Sequence, residues 1–171
     1  MPLPVAHSLL GATLANSFLP ADNPNRMRVL LLCALVSIAP DFDFLPIILF
    51  DLDRTFHRGF SHSPFFAILV GSTIFLIVGR RRWPEAILYT CAMLSHGLLD
   101  AITAVKGQGV ALLWPLSDDR FKLSAIPLFE ISYSTPIRSV FAKLAVEMVI
   151  FGILFWSTAR FRQAQSSRNP V

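Results

Sequence analysis

The residues best suited to chemistry are four histidines and the aspartates near them. His57 and His62 bracket Arg58-Gly59-Phe60-Ser61. His96 and Asp100 are four apart, so on a helix they share a face and can point at one target. Asp41 and Asp43 follow Pro40, where a broken helix ladder frees carbonyls and side chains to reorganise. His7 stands near the start of the first apolar stretch. Neutral imidazoles mixed with carboxylates form a donor set for a divalent cation, and the mixture suits zinc, manganese or iron better than calcium, which prefers oxygen throughout. The candidate ligands are His7, Asp41, Asp43, His57, His62, His96 and Asp100. They exceed what one tetrahedral ion needs, so one or two ions fit the set.

The rest of the composition says what must position these groups. Of 171 residues, 54% are hydrophobic and only 15% charged, against roughly 25% charged in an ordinary soluble domain. Charge is missing from the surface, and a surface without charge faces lipid. The net charge of +4 does not point to nucleic acid, because the arginines form short clusters beside apolar segments rather than a basic face. Cys33 and Cys91 lie inside apolar runs and read as small buried hydrophobes, not as a disulfide. No basic region precedes the first apolar stretch, so no cleavable signal peptide is expected. The length suggests one membrane-embedded helical domain over 1–160 and a short basic tail over 161–171.

The expected fold is all-α, a polytopic bundle of about five hydrophobic helices. The segments are Val5 to Leu19, Val29 to Phe50 with its proline breaks, Pro64 to Gly79, Pro84 to Val105, and Val140 to Ala159. A span needs about 20 helical residues, and shorter ones persist by thinning the bilayer or pairing with neighbours. Arg26 and Arg28, the Arg80-Arg81-Arg82 turn, and Arg160, Arg162 and Arg168 alternate so that all three groups can be cytoplasmic. The N-terminus is then outside and the C-terminus inside. The stretch from Lys106 to Ser139 holds Trp114-Pro115-Leu116-Ser117-Asp118-Asp119-Arg120-Phe121, whose aromatics suggest an interfacial segment.

This topology, built from arginines alone, puts the candidate ligands at one depth. At 1.5 Å per residue, His96 lies about 18 Å and Asp100 about 24 Å from the cytoplasmic end of their helix, and Asp41 about 18 Å along the second segment. His57 and His62 belong to an outer loop, and His7 to the outer part of the first segment. An aspartate near mid-bilayer costs about 2.5–3.5 kcal/mol on insertion scales. A cation that Asp41, Asp43 and Asp100 jointly bind would offset that load.

His57-Arg58-Gly59-Phe60-Ser61-His62-Ser63, then Ser95-His96-Gly97-Leu98-Leu99-Asp100 with Thr103, then Trp114 to Phe121, resembles the YdjM-like inner-membrane proteins. The early His7 and the Pro40-Asp41-Phe42-Asp43 element belong to the same pattern, and Ser61 stands where threonine is commoner. The resemblance runs from His7 to about Phe121. It implies a membrane-bound metal-dependent hydrolase of the bacterial inner membrane with these His and Asp residues as ligands.

On that reading Asp43 or Asp100 accepts a proton, while Arg58 and Ser61 hold the substrate. Arg58 would grip an anionic group with its planar fork, or else neutralise the carboxylates. A small phosphoester or a lipid-linked compound is the expected substrate. Plainer alternatives stand beside it: Asp41 and Asp43 as helix caps, His57 and His62 as interfacial loop residues, Lys143 and Glu147 as an ion pair on the last helix. Asp118, Asp119 and Arg120 read either as the site's rim or as solvated surface. A small metal or proton transporter, or a scaffold with a structural metal, could use the same residues. If a cation gathers them, the imidazoles of His57, His62 and His96 must converge with the aspartates.

Overall fold

The computed structural model describes residues 2–20, 22–105, 108–126 and 135–168, with the side chains of 165–168 excepted. The helices are α1 (Pro4–Phe18), α2 (Arg26–Ile38), α3 (Phe44–Phe50), α4 (Pro64–Val78), α5 (Trp83–Thr103) and α6 (Ile137–Arg168). Among the described residues there is no strand, and Val110 and Phe121 form an isolated bridge. Pro40 breaks the ladder as the sequence suggests: α2 ends at Ile38, and 3-10 turns carry the chain through Ala39–Asp43 into α3. Ser63 starts α4 by accepting the Phe66 N–H at 3.1 Å, with Pro64 in the first turn. Gly79, at φ 76°, ends it in a conformation that side chains rarely adopt.

Three stretches are long and apolar enough to cross a membrane: Arg26–Phe50, Arg80–Thr103 and Ile137–Ala164. A fourth exists if Arg54–His62 and Pro64–Val78, bent by 53° at their junction, count as one broken span. The bend means that α4 does not gain a straight extra turn from Arg58-Gly59-Phe60. The total is slightly below the five segments read from the sequence, and α1 accounts for the difference. Its 15 residues reach only about 22 Å, short of a hydrocarbon core of about 30 Å. Its apolarity serves packing instead. α1 lies against α2, α5 and α6, with Ala6, His7, Gly11, Thr13, Ala15 and Asn16 buried.

Polarity is inverted relative to a soluble bundle. Leu76 is 79% exposed, Ile77 78% and Ile48 75%, while His7, Ser37, His62, His96, Asp100 and Glu147 are buried. Apolar atoms outside and hydrogen-bonding groups inside are what a lipid solvent selects. Cys33 and Cys91 are unbridged, and Cys33 is buried as expected. Glu147 turns inward from α6, and its two oxygens take the Leu3 N–H at 2.9 and 3.0 Å at the start of α1, a partner that the four-residue spacing to Lys143 does not point to.

At the opposite end, Arg162 donates to the carbonyls of Asn16 (2.6 Å) and Leu19, and Arg26 reaches the same turn. The arginine groups beginning α2 and ending α6 therefore meet at one end of the bundle. The basic tail extends α6 to Arg168, and 169–171 lie outside the described residues. Of the interfacial stretch, 106–107 and 127–134 lie outside them as well. Within 108–126, Trp114 packs on Phe60 and Phe65, and the Leu123 and Ala125 N–H groups bond to carbonyls at the end of α5 (2.8 Å each).

Two glycines permit the close approaches the site needs. A Cβ on Gly11 would collide with the Cys33 carbonyl of α2, and one on Gly97 with the His62 carbonyl. Gly97 follows His96 on α5 and lets the turn carrying His62 lie directly on the helix. Gly97→Ala should cost about 1–3 kcal/mol from forced displacement and separate His62 from His96. Thermal unfolding of the detergent-solubilised protein should show the loss, and unchanged stability would contradict this packing.

Candidate metal centre

Four elements supply the polar cluster. The 3-10 turn Ala39–Asp43 brings Asp41 and Asp43, the turn Phe60–His62 brings Ser61 and His62, α5 brings His96 and Asp100, and α1 brings His7. His57 and Arg58 lie in the loop between two 3-10 turns. That loop is fixed locally. Asp53 accepts the Thr55 N–H at 2.7 Å, which holds its carboxyl below the usual pKa, and Arg120 donates to the carbonyls of Thr55, His57 (3.2 Å) and Gly109 (3.3 Å).

One ligand atom from each of Asp41, His62, His96 and Asp100 lies within 4.8 Å of all the others. His62 Nε2 is 3.0 Å from His96 Nε2 and 3.7 Å from both Asp41 Oδ1 and Asp100 Oδ2. His96 Nε2 is 3.5 Å from Asp41 Oδ1. The proton positions follow from the outer partners. His96 Nδ1 is 2.7 Å from the Ser37 carbonyl, which can only accept, so Nδ1 carries the hydrogen. Ser61 Oγ donates to Asp43 Oδ2 at 2.7 Å, so at 3.0 Å it accepts from His62 Nδ1. In the neutral rings both Nε2 atoms then direct lone pairs into the space that the carboxylates face. Carbonyls and carboxylates behind imidazoles are the usual outer partners of metal-binding histidines.

Asp43, His57 and His62 form a second, overlapping group. Here the atoms satisfy one another. Asp43 Oδ1 is 2.6 Å from His57 Nδ1, while Oδ2 takes the Ser61 hydroxyl and lies 3.3 Å from the Arg58 N–H. Asp43 stands at the N-cap of α3 without capping it, so its carboxylate works in the cluster rather than as a helix cap. Phe44 stacks on His57 at 3.8 Å.

Arg58, at φ 61° and almost fully buried, places Nε 3.2 Å from Asp100 Oδ2 and donates from Nη1 to the Gln108 carbonyl at 3.2 Å. His7 stands outside both groups. Its ring stacks on His96 at 3.9 Å, and its Nε2 is 3.5 Å from Asp100 Oδ1. All the candidate residues from the sequence are therefore drawn into one cluster, with Ser61 between Asp43 and His62.

A metal fits this donor set. Both oxygens of Asp41 and of Asp100 are buried and make no hydrogen bond. Desolvated carboxylates without donors are expensive, and a cation among them supplies the missing counter-charge.

The family model described as YdjM inner membrane protein matches residues 1–165. The chain belongs to the YdjM inner membrane protein family. Inner membrane protein YbcI of Escherichia coli (strain K12) is 37% identical over 117 residues, covering 58% of this chain and 66% of that relative's length. No solved structure matches. Membership in the YdjM family, with several apolar helices, makes this a multi-pass inner-membrane protein.

In this YdjM-family chain the sequence does not single out Ser37, Gly97 and Arg120 as parts of the site. Ser37 acts through a backbone carbonyl, which any residue provides. Gly97 acts through the side chain it lacks. Arg120 had a signal, since it lies inside the Trp114-to-Phe121 motif.

Losing the outer partners should weaken metal binding about 10–100-fold. Ser61→Ala and Asp43→Asn should each do so in a chelator competition, whereas Ser61→Thr, which keeps the hydroxyl, should bind as the parent does. Equal affinity in all three variants would remove Ser61 and Asp43 from the centre.

Proposed function

We propose that this protein is a metal-dependent hydrolase whose centre lies near the outer face of the inner membrane, acting on a phosphoester or lipid-linked substrate. The observation that carries the reading is the convergence of His62 Nε2, His96 Nε2, Asp41 Oδ1 and Asp100 Oδ2, with the buried carboxylates lacking any hydrogen-bond donor. These four residues would hold the ion. The Asp43, His57 and His62 group is the weaker site for a second ion, because its atoms already bond to one another. Zinc or manganese bound there would supply Lewis-acid activation of water and of the scissile bond near neutral pH.

The chain's own residues have separable tasks. Asp100 is fully buried, which suits a ligand better than a proton acceptor that must exchange with solvent. His57 is only half-buried, and its Nδ1 faces Asp43 at 2.6 Å. A carboxylate behind one ring nitrogen orients the other as a base, so His57 takes the proton that the sequence assigns to Asp43 or Asp100. Arg58, close to Asp100, supplies the planar cation for an anionic substrate group. The transporter alternative needs polar groups continuing to the other face. Between Glu85 and His96, α5 offers no carboxylate, imidazole or basic side chain.

Metal analysis of the purified protein should find bound zinc or manganese, and His62→Ala and His96→Ala should lose most of it. Phosphoester hydrolysis should vanish with chelator and return with metal. Bound metal without turnover across a panel of phosphoesters and phospholipids would make the metal structural and the protein a scaffold. The orientation has its own test: a C-terminal green fluorescent protein fusion should fluoresce and a C-terminal alkaline phosphatase fusion should be inactive, and the reverse pattern would invert the topology.

A further inference from the structure

Beside the centre lies an open groove of about 430 Å³, lined by Phe44, Ile47, Ile48, Asp51, Leu52 and Arg54. It shares a wall with the metal cluster, since the Phe44 ring that lines it stacks on His57. We propose that this groove binds the acyl chain of a zwitterionic phospholipid, with Arg54 taking the phosphate and Asp51 the ammonium, and so presents a membrane phospholipid to the His/Asp centre. The role as a substrate site rests on the hydrolase reading above; the binding itself does not.

The groove is divided as an amphiphile is divided. Its apolar lining comes chiefly from α3, the end of the Arg26–Phe50 span, where Leu49 and Phe50 are 71% and 72% exposed beside it. Such a surface in a membrane-spanning chain meets lipid chains. At Asp51 the backbone enters the left-handed region (φ 51°) and α3 ends. Both charged lining residues therefore lie where the span gives way to the interfacial loop. A chain along α3 puts its headgroup at that boundary. One guanidinium and one carboxylate complement a headgroup carrying one phosphate and one amine. An anionic lipid would meet the Asp51 carboxylate unfavourably, and a neutral diacylglycerol would leave both charges unanswered.

The test uses full-length protein in phosphatidylglycerol bilayers doped with diacyl probes that carry a photoreactive group in one chain. The probes have a phosphoethanolamine headgroup, a phosphoglycerol headgroup, or none, and labelled peptides are mapped. The phosphoethanolamine probe should label the segment 44–54 about threefold more than the others, the return of one exposed ion pair. All three probes should label Leu76 and Ile77 on α4 equally. Arg54→Gln and Asp51→Asn should each remove the preference while leaving metal content unchanged. Equal or reversed labelling of 44–54 in the parent protein overturns the proposal, as does a preference that survives both substitutions. If either variant fails to fold, the three-probe comparison in the parent decides alone. A headgroup preference in protein that binds no metal would keep the groove and sink the hydrolase reading, and metal with no preference would do the opposite.

Discussion

Asp41 and Asp100 place four carboxylate oxygens, none with a hydrogen-bond donor, against two imidazole nitrogens inside a bundle whose outer surface is hydrocarbon-like. Without a positive charge among them this arrangement is self-repelling, and the low dielectric around it magnifies the repulsion. Most other features of the structure keep that arrangement in place. The proline-broken second span lets Asp41 and Asp43 turn inward, Gly97 lets His62 rest on α5, and α1 fills the bundle beside His96. Arg58 is the one guanidinium close to Asp100 among the described residues, and it partly balances the charge from the side.

The order of contacts separates ligands from their supports. His62 and His96 each show one nitrogen to the shared space and bind the other to the surrounding protein, through Ser61 and the Ser37 carbonyl. Asp43, which the sequence offers equally as ligand, cap or base, has both oxygens occupied by His57, Ser61 and the Arg58 backbone. Its chemistry is thereby directed toward holding two imidazoles in register.

Much of this was legible in the sequence for definite reasons. Charge depletion and arginine clusters signal a lipid-facing helical bundle, and the four-residue spacing of His96 and Asp100 signals a shared face. Intramembrane carboxylates are costly enough that each needs a partner. The first segment was harder, because hydropathy does not distinguish a helix that meets lipid from one surrounded by other helices. α1 is the second kind, built from small residues and buried polar ones. Contacts made through backbone or absence, such as the Ser37 carbonyl and Gly97, leave no signature in residue type. Glu147 reads as half of a local ion pair because sequence spacing reports neighbours on its own helix and not the distant end of α1.

That last contact has a consequence for biogenesis. Glu147 belongs to the final helix, yet its carboxylate receives the N–H of Leu3, four residues before His7. The start of the first helix is thus anchored by nearly the last part of the chain to leave the ribosome. Until the closing helix inserts, the opening one lacks this anchor, and His7 has no fixed seat beside His96. Maturation of the centre is in this way timed to the end of translation, so a truncated or stalled chain would not offer a finished pocket to passing cations.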